Sequence, residues 1–179
     1  DPPPEALKNY VAGRAAFLDG DNEAAMASLE KAIALDPRAF TVLRLMGRVC
    51  FAASQLARGA TYLERAYALH PRDLEVNYLL GRYWIERNAP EQAVFYLLNA
   101  QASPEMTPGE AQSPLVAFYL ARGYQSAGYH AAACGELDRY LKRIALRVAG
   151  DRYDHQLSHI VHEQWGAQVI EGPLGSNEV

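Results

Sequence analysis

Cysteine is scarce in this chain of 179 residues, which contains only Cys50 and Cys134. Both lie in alanine-rich segments with helical periodicity, so we expect two buried free thiols that pack as small hydrophobic groups. A disulfide or a reactive thiol is the alternative that the two residues leave open.

Excess positive charge and long apolar runs are also missing. The chain has 17 Lys and Arg residues against 21 Asp and Glu residues, a net charge of −4, whereas a nucleic-acid-binding domain is expected to be basic. No apolar run approaches the roughly 20 residues that a membrane-spanning helix needs. Half of the residues are hydrophobic and 21% are charged. This composition predicts a soluble globular protein that binds no nucleic acid and has no membrane-spanning segment.

Catalytic motifs are the third absence. The sequence contains no glycine-rich phosphate loop, nucleophile elbow or paired carboxylate site, so we predict no enzymatic activity and no cofactor. The spacings of His155, His159 and His162 would let two imidazoles share a helix face and hold a metal. Their order differs from the His-Glu-x-x-His pattern of zinc proteases. Solvated histidines on a polar helix are therefore the simpler interpretation, with metal binding as the alternative.

The sequence does contain an internal repeat with a period of 34 residues. Several independent columns share the period, which composition alone does not produce. The columns are Gly13, Gly47 and Gly81; Leu29, Leu63 and Leu97; Ala32, Ala66 and Ala100; and Pro37 and Pro71. A fourth unit follows at an offset of 40 residues, where Leu120 and Ala121 correspond to Leu80 and Gly81. The extra residues lie in segment 103–113, whose Pro, Gly, Ser and Thr content predicts a surface loop.

The period and its residues resemble the tetratricopeptide-repeat (TPR) family, in which each unit is a pair of antiparallel helices closed by a proline. The resemblance implies an all-α fold, a right-handed solenoid of stacked helix pairs. Each repeat glycine would lie within a helix, where glycine costs about 1 kcal/mol relative to alanine. Close approach of the partner helix is the expected compensation. Gly59 replaces the alanine expected in the second unit, and we expect it to weaken that unit.

This interpretation divides the chain into repeats and flanking segments. They are an N-terminal linker 1–4, TPR 1 at 5–38, TPR 2 at 39–72, TPR 3 at 73–106, an insertion loop 107–113, a TPR-like unit at 114–149, a capping helix 151–170 and a tail 171–179. Helices are predicted at 5–19, 22–35, 39–53, 56–69, 73–87, 90–102, 114–127 and 130–149.

The predicted capping helix is amphipathic, as the terminal unit of a solenoid requires. Its apolar residues recur at helical spacing: Tyr153, Leu157, Ile160, Val161 and Trp165. The first repeat has no such helix before it, so its outer face is either polar enough or covered by upstream residues or a second copy. The proline-rich start, Asp1 to Pro4, favours an exported protein trimmed of its leader.

In TPR-like superhelices the first helix of each repeat lines the concave surface on which partners bind, so the resemblance places the candidate site there. Each first helix carries an arginine after the repeat glycine or its alanine equivalent. Residues four before and three after it share its stripe. The four trios are Tyr10, Arg14 and Phe17; Arg44, Arg48 and Phe51; Tyr78, Arg82 and Ile85; and Phe118, Arg122 and Gln125. This ladder of guanidinium groups and aromatic rings predicts a protein or peptide partner that is acidic or ends in a free carboxylate.

Two alternatives to partner binding remain at this stage. The arginines could instead pair with acids of a neighbouring repeat, and Glu75 and Glu86 are candidates to neutralise Arg48 or Arg82. The uncovered first repeat could also make the chain an assembly module that self-associates or packs against a neighbouring domain.

Overall fold

The computed structural model describes residues 2–103 and 112–148, and every described element is an α-helix or a turn. The helices are α1 (Pro4–Leu18), α2 (Asn22–Leu35), α3 (Phe40–Ala52), α4 (Leu56–Leu69), α5 (Leu74–Glu86), α6 (Pro90–Gln101), α7 (Gln112–Ser126) and α8 (His130–Val148). The chain divides into two units, Asp1–Leu141 and Lys142–Val179. Only the last turns of α8 are described in the second unit, so the account below concerns the first.

Consecutive helices pack against each other along the whole series from α1 to α7. Because short turns join the two helices of each repeat, the packed partners run antiparallel. The first helices also approach one another between repeats, α1 with α3, α3 with α5 and α5 with α7. No such approach joins α2 with α4 or α4 with α6 within the described residues. The all-α stack of helix pairs expected from the repeat is confirmed, and we call the surface of α1, α3, α5 and α7 the first-helix face.

Each repeat glycine marks a point where the second helix closes on the first. A Cβ atom added to Gly47 would lie 2.5 Å from Leu63 Cγ, and one added to Gly81 would lie 2.4 Å from Leu97 Cγ. The same contact joins Gly13 to Leu29, at 2.7 Å. Real Cβ atoms do not come this close to another carbon, so the predicted close approach is confirmed.

Gly59 has its own structural reason, which sequence reasoning missed. A Cβ at this position of α4 would lie 2.6 Å from Phe51 Cδ2 and 3.0 Å from the carbonyl oxygen of Gly47. The glycine therefore accommodates the Phe51 ring between α3 and α4. Glycine at position 59 thus has a reason in local packing, and the expected weakening of the second unit stays a prediction.

The turn within each repeat uses a left-handed backbone conformation that recurs with the repeat. The residues with positive φ are Gly20 (83°), Ser54 (60°), Asn88 (54°) and Gly128 (82°). Their spacing reproduces the 34-residue period and the longer offset to the fourth unit. A left-handed residue after a helix lets the chain reverse while nearby backbone groups bond to the last turn. Gln55 N–H, for example, donates to the carbonyl oxygen of Cys50 at 2.8 Å.

The two thiols occupy different environments. Cys50 lies in the core, where burial raises the pKa of its thiol. Cys134 is exposed, and both cysteines are free. The prediction that both are buried is wrong for Cys134. It follows Ala133, which faces the core, and one residue along a helix rotates a side chain by about 100°.

The fourth unit repeats the packing of the first three where it is described. Leu120 and Ala121 are fully buried, as their equivalents Leu80 and Gly81 are. The capping helix 151–170, the tail 171–179 and most of the insertion loop 107–113 lie outside the described residues, so these assignments stay predictions. None of the described helices combines the length and apolar character needed to cross a bilayer.

Candidate partner-binding face

Two of the ladder arginines are engaged by carboxylates of the next repeat. Arg44 Nη1 donates to Asp73 Oδ2 at 2.8 Å, and Arg44 Nε lies 3.5 Å from Glu75 Oε2. Arg48 Nη1 lies 3.3 Å from Glu75 Oε1. We call these four residues the closed arginine site, because two cations and two anions neutralise each other there. For Arg44 and Arg48 the internal ion-pair interpretation is therefore correct.

The closed arginine site is built on a helix end. Asp73 is the N-cap of α5, and its Oδ1 accepts a hydrogen bond from Val76 N–H at 2.8 Å. Its side chain is only 4% exposed, and that of Glu75 is 20% exposed. The two carboxylates thus lie at the start of α5 and also bind arginines of α3, the first helix of the preceding repeat.

The aromatic neighbours of these arginines are on the first-helix face, but only one of them is a predicted site residue. Arg48 Cζ lies 4.9 Å from the centroid of the Phe17 ring on α1. Arg44 Cζ lies 5.3 Å from the ring of Phe40, which the stripe did not include. Both distances are within the range of cation–π attraction.

A second arrangement of arginines and aromatic rings joins α5 to α7. Arg82 Cζ lies 5.2 Å from the centroid of the Tyr119 ring, and Arg122 Cζ lies 5.7 Å from the same centroid. No carboxylate of the described residues lies within ion-pair distance of either guanidinium. Both side chains are half-buried. We call these residues, together with Tyr78, the open arginine site.

Tyr78 forms the base of the open arginine site. Its ring meets Tyr119 edge-on, with centroids 5.6 Å apart, and Arg82 Cζ lies 5.7 Å from its centroid. Burial raises the pKa of Tyr78 to about 12, although the positive charge of Arg82 acts in the opposite direction. The hydroxyl therefore stays protonated and can donate a hydrogen bond at physiological pH.

The remaining predicted site residues are divided between core and surface. Phe51 packs on Gly59, and Ile85 packs on the buried cluster that contains Leu97. Phe118 contacts Tyr140 of α8, with ring centroids 5.4 Å apart. These three apolar side chains support the helices and do not join the arginines.

Three predicted residues outside these clusters complete the set. Tyr10 packs partly buried on the core, Arg14 is exposed, and Gln125 is half-buried. Glu86 is exposed and forms no ion pair with Arg48 or Arg82 among the described residues.

Sequence reasoning missed Tyr119, the residue that joins the two open arginines. It stands in the column of Leu45 and Leu79, whose side chains are almost fully buried. A tyrosine in a leucine column was the available signal, because its hydroxyl and ring face suit a half-exposed position beside cations.

The metal hypothesis cannot be placed on this part of the chain. The candidates His155, His159 and His162 lie outside the described residues. Within residues 2–103 and 112–148 no group of three or more metal-ligating side chains occurs.

Comparison with known proteins identifies the fold. The sequence matches no protein-family model, and no curated protein is significantly similar to it. Solved structures that share its architecture include MamA, at 17% identity and a TM-score of 0.69, covering 80% of this chain and 81% of the other. MamA from Desulfovibrio magneticus RS-1 shows 21% identity and a TM-score of 0.68, with 78% and 76% covered.

A thermophilic TPR protein of Thermus thermophilus also aligns, at 18% identity and a TM-score of 0.60, with 82% and 80% covered. These similarities and the repeat geometry show that the chain has the fold of TPR proteins. At these identities they define the fold, and the function has to be argued from the residues of the first-helix face.

Proposed function

We propose that this chain is a non-enzymatic scaffold that binds an acidic segment of a partner protein on its first-helix face. The observation that carries the proposal is the open arginine site, where Arg82 and Arg122 flank Tyr119 without an internal counter-charge among the described residues. Arginine offers a planar fork for carboxylates and stacks on aromatic rings. The side chains are half-buried, so their charges are less screened than those of fully exposed groups.

The contribution of the aromatic rings is essential to this proposal. Micromolar affinity corresponds to about 8 kcal/mol, whereas one charge-assisted hydrogen bond contributes about 1.5–3 kcal/mol. Tyr78 and Tyr119 would supply apolar contact area beside the cations. The partner segment would therefore combine acidic with aromatic or aliphatic residues.

A displayed library of random short peptides, selected on the immobilised protein, tests the proposal. The selected peptides are then measured by fluorescence anisotropy against the wild type and the Arg82→Glu/Arg122→Glu double variant. We expect the double variant to bind at least about tenfold more weakly, because each lost charged contact costs about 1.5–3 kcal/mol. Circular dichroism should show unchanged helical content.

Arg65→Glu is the matched single-charge control. Arg65 also lies over a tyrosine ring, with Cζ 5.8 Å from the Tyr62 centroid, but on a second helix. We expect this variant to bind the selected peptides like the wild type. Equal binding by the double variant would place the interaction on another surface and contradict the proposal.

A second candidate function, self-association, is favoured by the outer surface of α1. Leu7, Val11 and Leu18 are exposed along one stripe of this helix, Val11 at 57%. In the next two repeats the residues in the column of Val11 are Leu45 and Leu79, which are 8% and 5% exposed. This column is thus buried in the inner repeats and exposed in the first repeat. We propose that a second copy of the chain buries it there.

A further inference from the structure

The closed and open arginine sites are successive versions of one repeated position. Arg82 occupies in the third repeat the column that Arg48 occupies in the second. Arg48 receives its carboxylate from Glu75, near the start of the following first helix. The repeat offset identifies the residue that would serve Arg82 in the same way, and that residue is Leu115.

In the fourth repeat, residues without a carboxylate stand at the two positions that supply these acids one repeat earlier. Leu115 stands in the column of Glu75, and Ser113 stands in the column of Asp73. Leu115 is 43% exposed near the start of α7. The open arginine site thus keeps the cation of the closed site but has no carboxylate at the position that neutralises it one repeat earlier.

Arg122 makes this lack of counter-charge more pronounced. Its guanidinium carbon lies 5.7 Å from the Tyr119 ring centroid, and that of Arg82 lies 5.2 Å from it. Two like charges near one half-buried ring repel each other, and an anion placed beside both is attracted by both. The edge-on contact of Tyr78 with Tyr119 fixes the ring on which such a group would rest.

We infer that the open arginine site holds one carboxylate of the partner, in the role that the Glu75 side chain has in the closed site. This inference rests on the proposed scaffold function and specifies the chemistry of its ligand. The carboxylate comes either from an acidic side chain or from a chain end, since both present the same planar pair of oxygens to a guanidinium. Arg44 and Arg48 take no part, because their own repeat neighbours satisfy them.

The test is a titration followed by NMR, with acetate against chloride at constant ionic strength. We expect the Arg82 and Arg122 side-chain N–H signals and the Tyr119 ring signals to shift saturably, and those of Arg44 and Arg48 to stay in place. N-acetylglycine then represents a chain end, and N-acetylglutamate α-amide represents an acidic side chain. Saturable shifts with either compound support the inference and assign the source of the carboxylate.

Leu115→Glu restores the internal acid and should close the site. We expect this variant to bind carboxylate at least about tenfold more weakly than the wild type, whereas Leu115→Gln, its uncharged control, binds like the wild type. The substitution suits the fold, because position 115 is exposed and an acid in the first turn of a helix is favourable. In the reverse experiment, Glu75→Gln should make the Arg48 signals respond to acetate.

Several outcomes would overturn the inference. They are equal carboxylate binding by Leu115→Glu and Leu115→Gln, equal shifts at Arg48 and Arg82 in the wild type, or saturation by inorganic phosphate with no response to either carboxylate compound. Peptides that depend on Arg82 and Arg122 without a carboxylate response would retain the scaffold proposal and reject this inference. A carboxylate response without peptide binding to the first-helix face would retain the carboxylate site and reject the scaffold proposal.

Discussion

At the scale of single residues, the stack depends on glycines that leave room for a leucine of the partner helix. The Gly47 backbone allows Leu63 to reach a distance that no side-chain carbon at position 47 would permit. Leu63 is fully buried, so it cannot move aside without leaving a void elsewhere in the core. The helix-propensity cost of glycine is thus offset by close packing between the two helices.

Gly47→Ala should destabilise the protein, although alanine is the better helix former. The added methyl group would lie 2.5 Å from Leu63 Cγ, and overpacking of this kind costs about 1–3 kcal/mol. The gain of about 1 kcal/mol in helix propensity offsets only part of that cost. Urea unfolding should therefore show a lower midpoint for the variant.

Gly135→Ala provides the control for this prediction. Gly135 lies in α8 with no atom within 4 Å of an added Cβ. We expect its replacement to raise the free energy of unfolding by about 0.5–1 kcal/mol, since only helix propensity changes. Similar stabilisation by both substitutions would show that the glycine column is not required for packing.

Individual site residues were harder to predict than the glycines. Stripe spacing identified Arg48 and Arg82 but could not show that only one of them has an internal acid. It also placed Phe51 on the binding face, whereas its ring lies against Gly59 of α4. Which neighbour a side chain meets depends on the packing of three helices, and the period of a single helix contains no such information.

At the scale of helices, the start of α5 connects two repeats. Asp73 caps this helix through Val76 N–H and also accepts the hydrogen bond from Arg44 on α3. Asp21 caps α2 in the simpler way, accepting from Ala24 N–H at 2.9 Å, with no arginine partner among the described residues. The comparison separates the contribution of a cap from that of a cap joined to an ion pair.

Asp73→Ala should lower the free energy of unfolding by about 2–3 kcal/mol. It removes a helix cap worth about 0.5–2 kcal/mol and a charged hydrogen bond worth about 1.5–3 kcal/mol. Glu75 partly replaces the lost hydrogen bond to Arg44. Asp21→Ala should cost only about 1 kcal/mol. Chemical denaturation of both variants measures the difference. Equal losses would mean that the Arg44 contact adds nothing to stability.

Asp73→Asn refines the comparison, because asparagine is an equally good cap. We expect it to recover roughly the cap contribution and to leave the loss of the ion pair. A variant as unstable as Asp73→Ala would contradict this division.

Helix positions were predictable to within one or two residues. Repeat prolines, cap residues and the glycine and leucine columns fix where helices lie, and each of these signals is local in sequence. The left-handed turns at Ser54 and Asn88 were not foreseen. Neither residue is glycine, and the column Gly20, Ser54, Asn88 and Gly128 has a shared conformation rather than a shared residue type.

At the scale of the whole molecule, each inner repeat covers the first helix of the next, and α1 has no described element in that place. Val42, Met46 and Val49 of α3 are all buried in the core. Their equivalents on α1 are Lys8, Ala12 and Ala15, which are exposed. The outer face of α1 is thus partly adapted to water, although the stripe that contains Val11 is not.

Sedimentation over a range of protein concentrations tests the self-association candidate. If a second copy covers the α1 stripe, the sedimentation coefficient of the wild type rises with concentration and that of Val11→Glu does not. Leu98→Glu is the control, because Leu98 is also exposed but lies on α6. Concentration-independent sedimentation of the wild type would reject this candidate.

Glu75 and Leu115 occupy equivalent positions in successive repeats, and this difference has a consequence for how such proteins diversify. If the open arginine site binds a partner carboxylate as proposed, the guanidinium keeps its column, and one residue determines whether its counter-charge belongs to the chain or to the partner. An internal ion pair and a binding site would then be alternative uses of the same repeat position. A stack of repeats of this kind could then gain or lose a ligand while the packing of its helices stays the same.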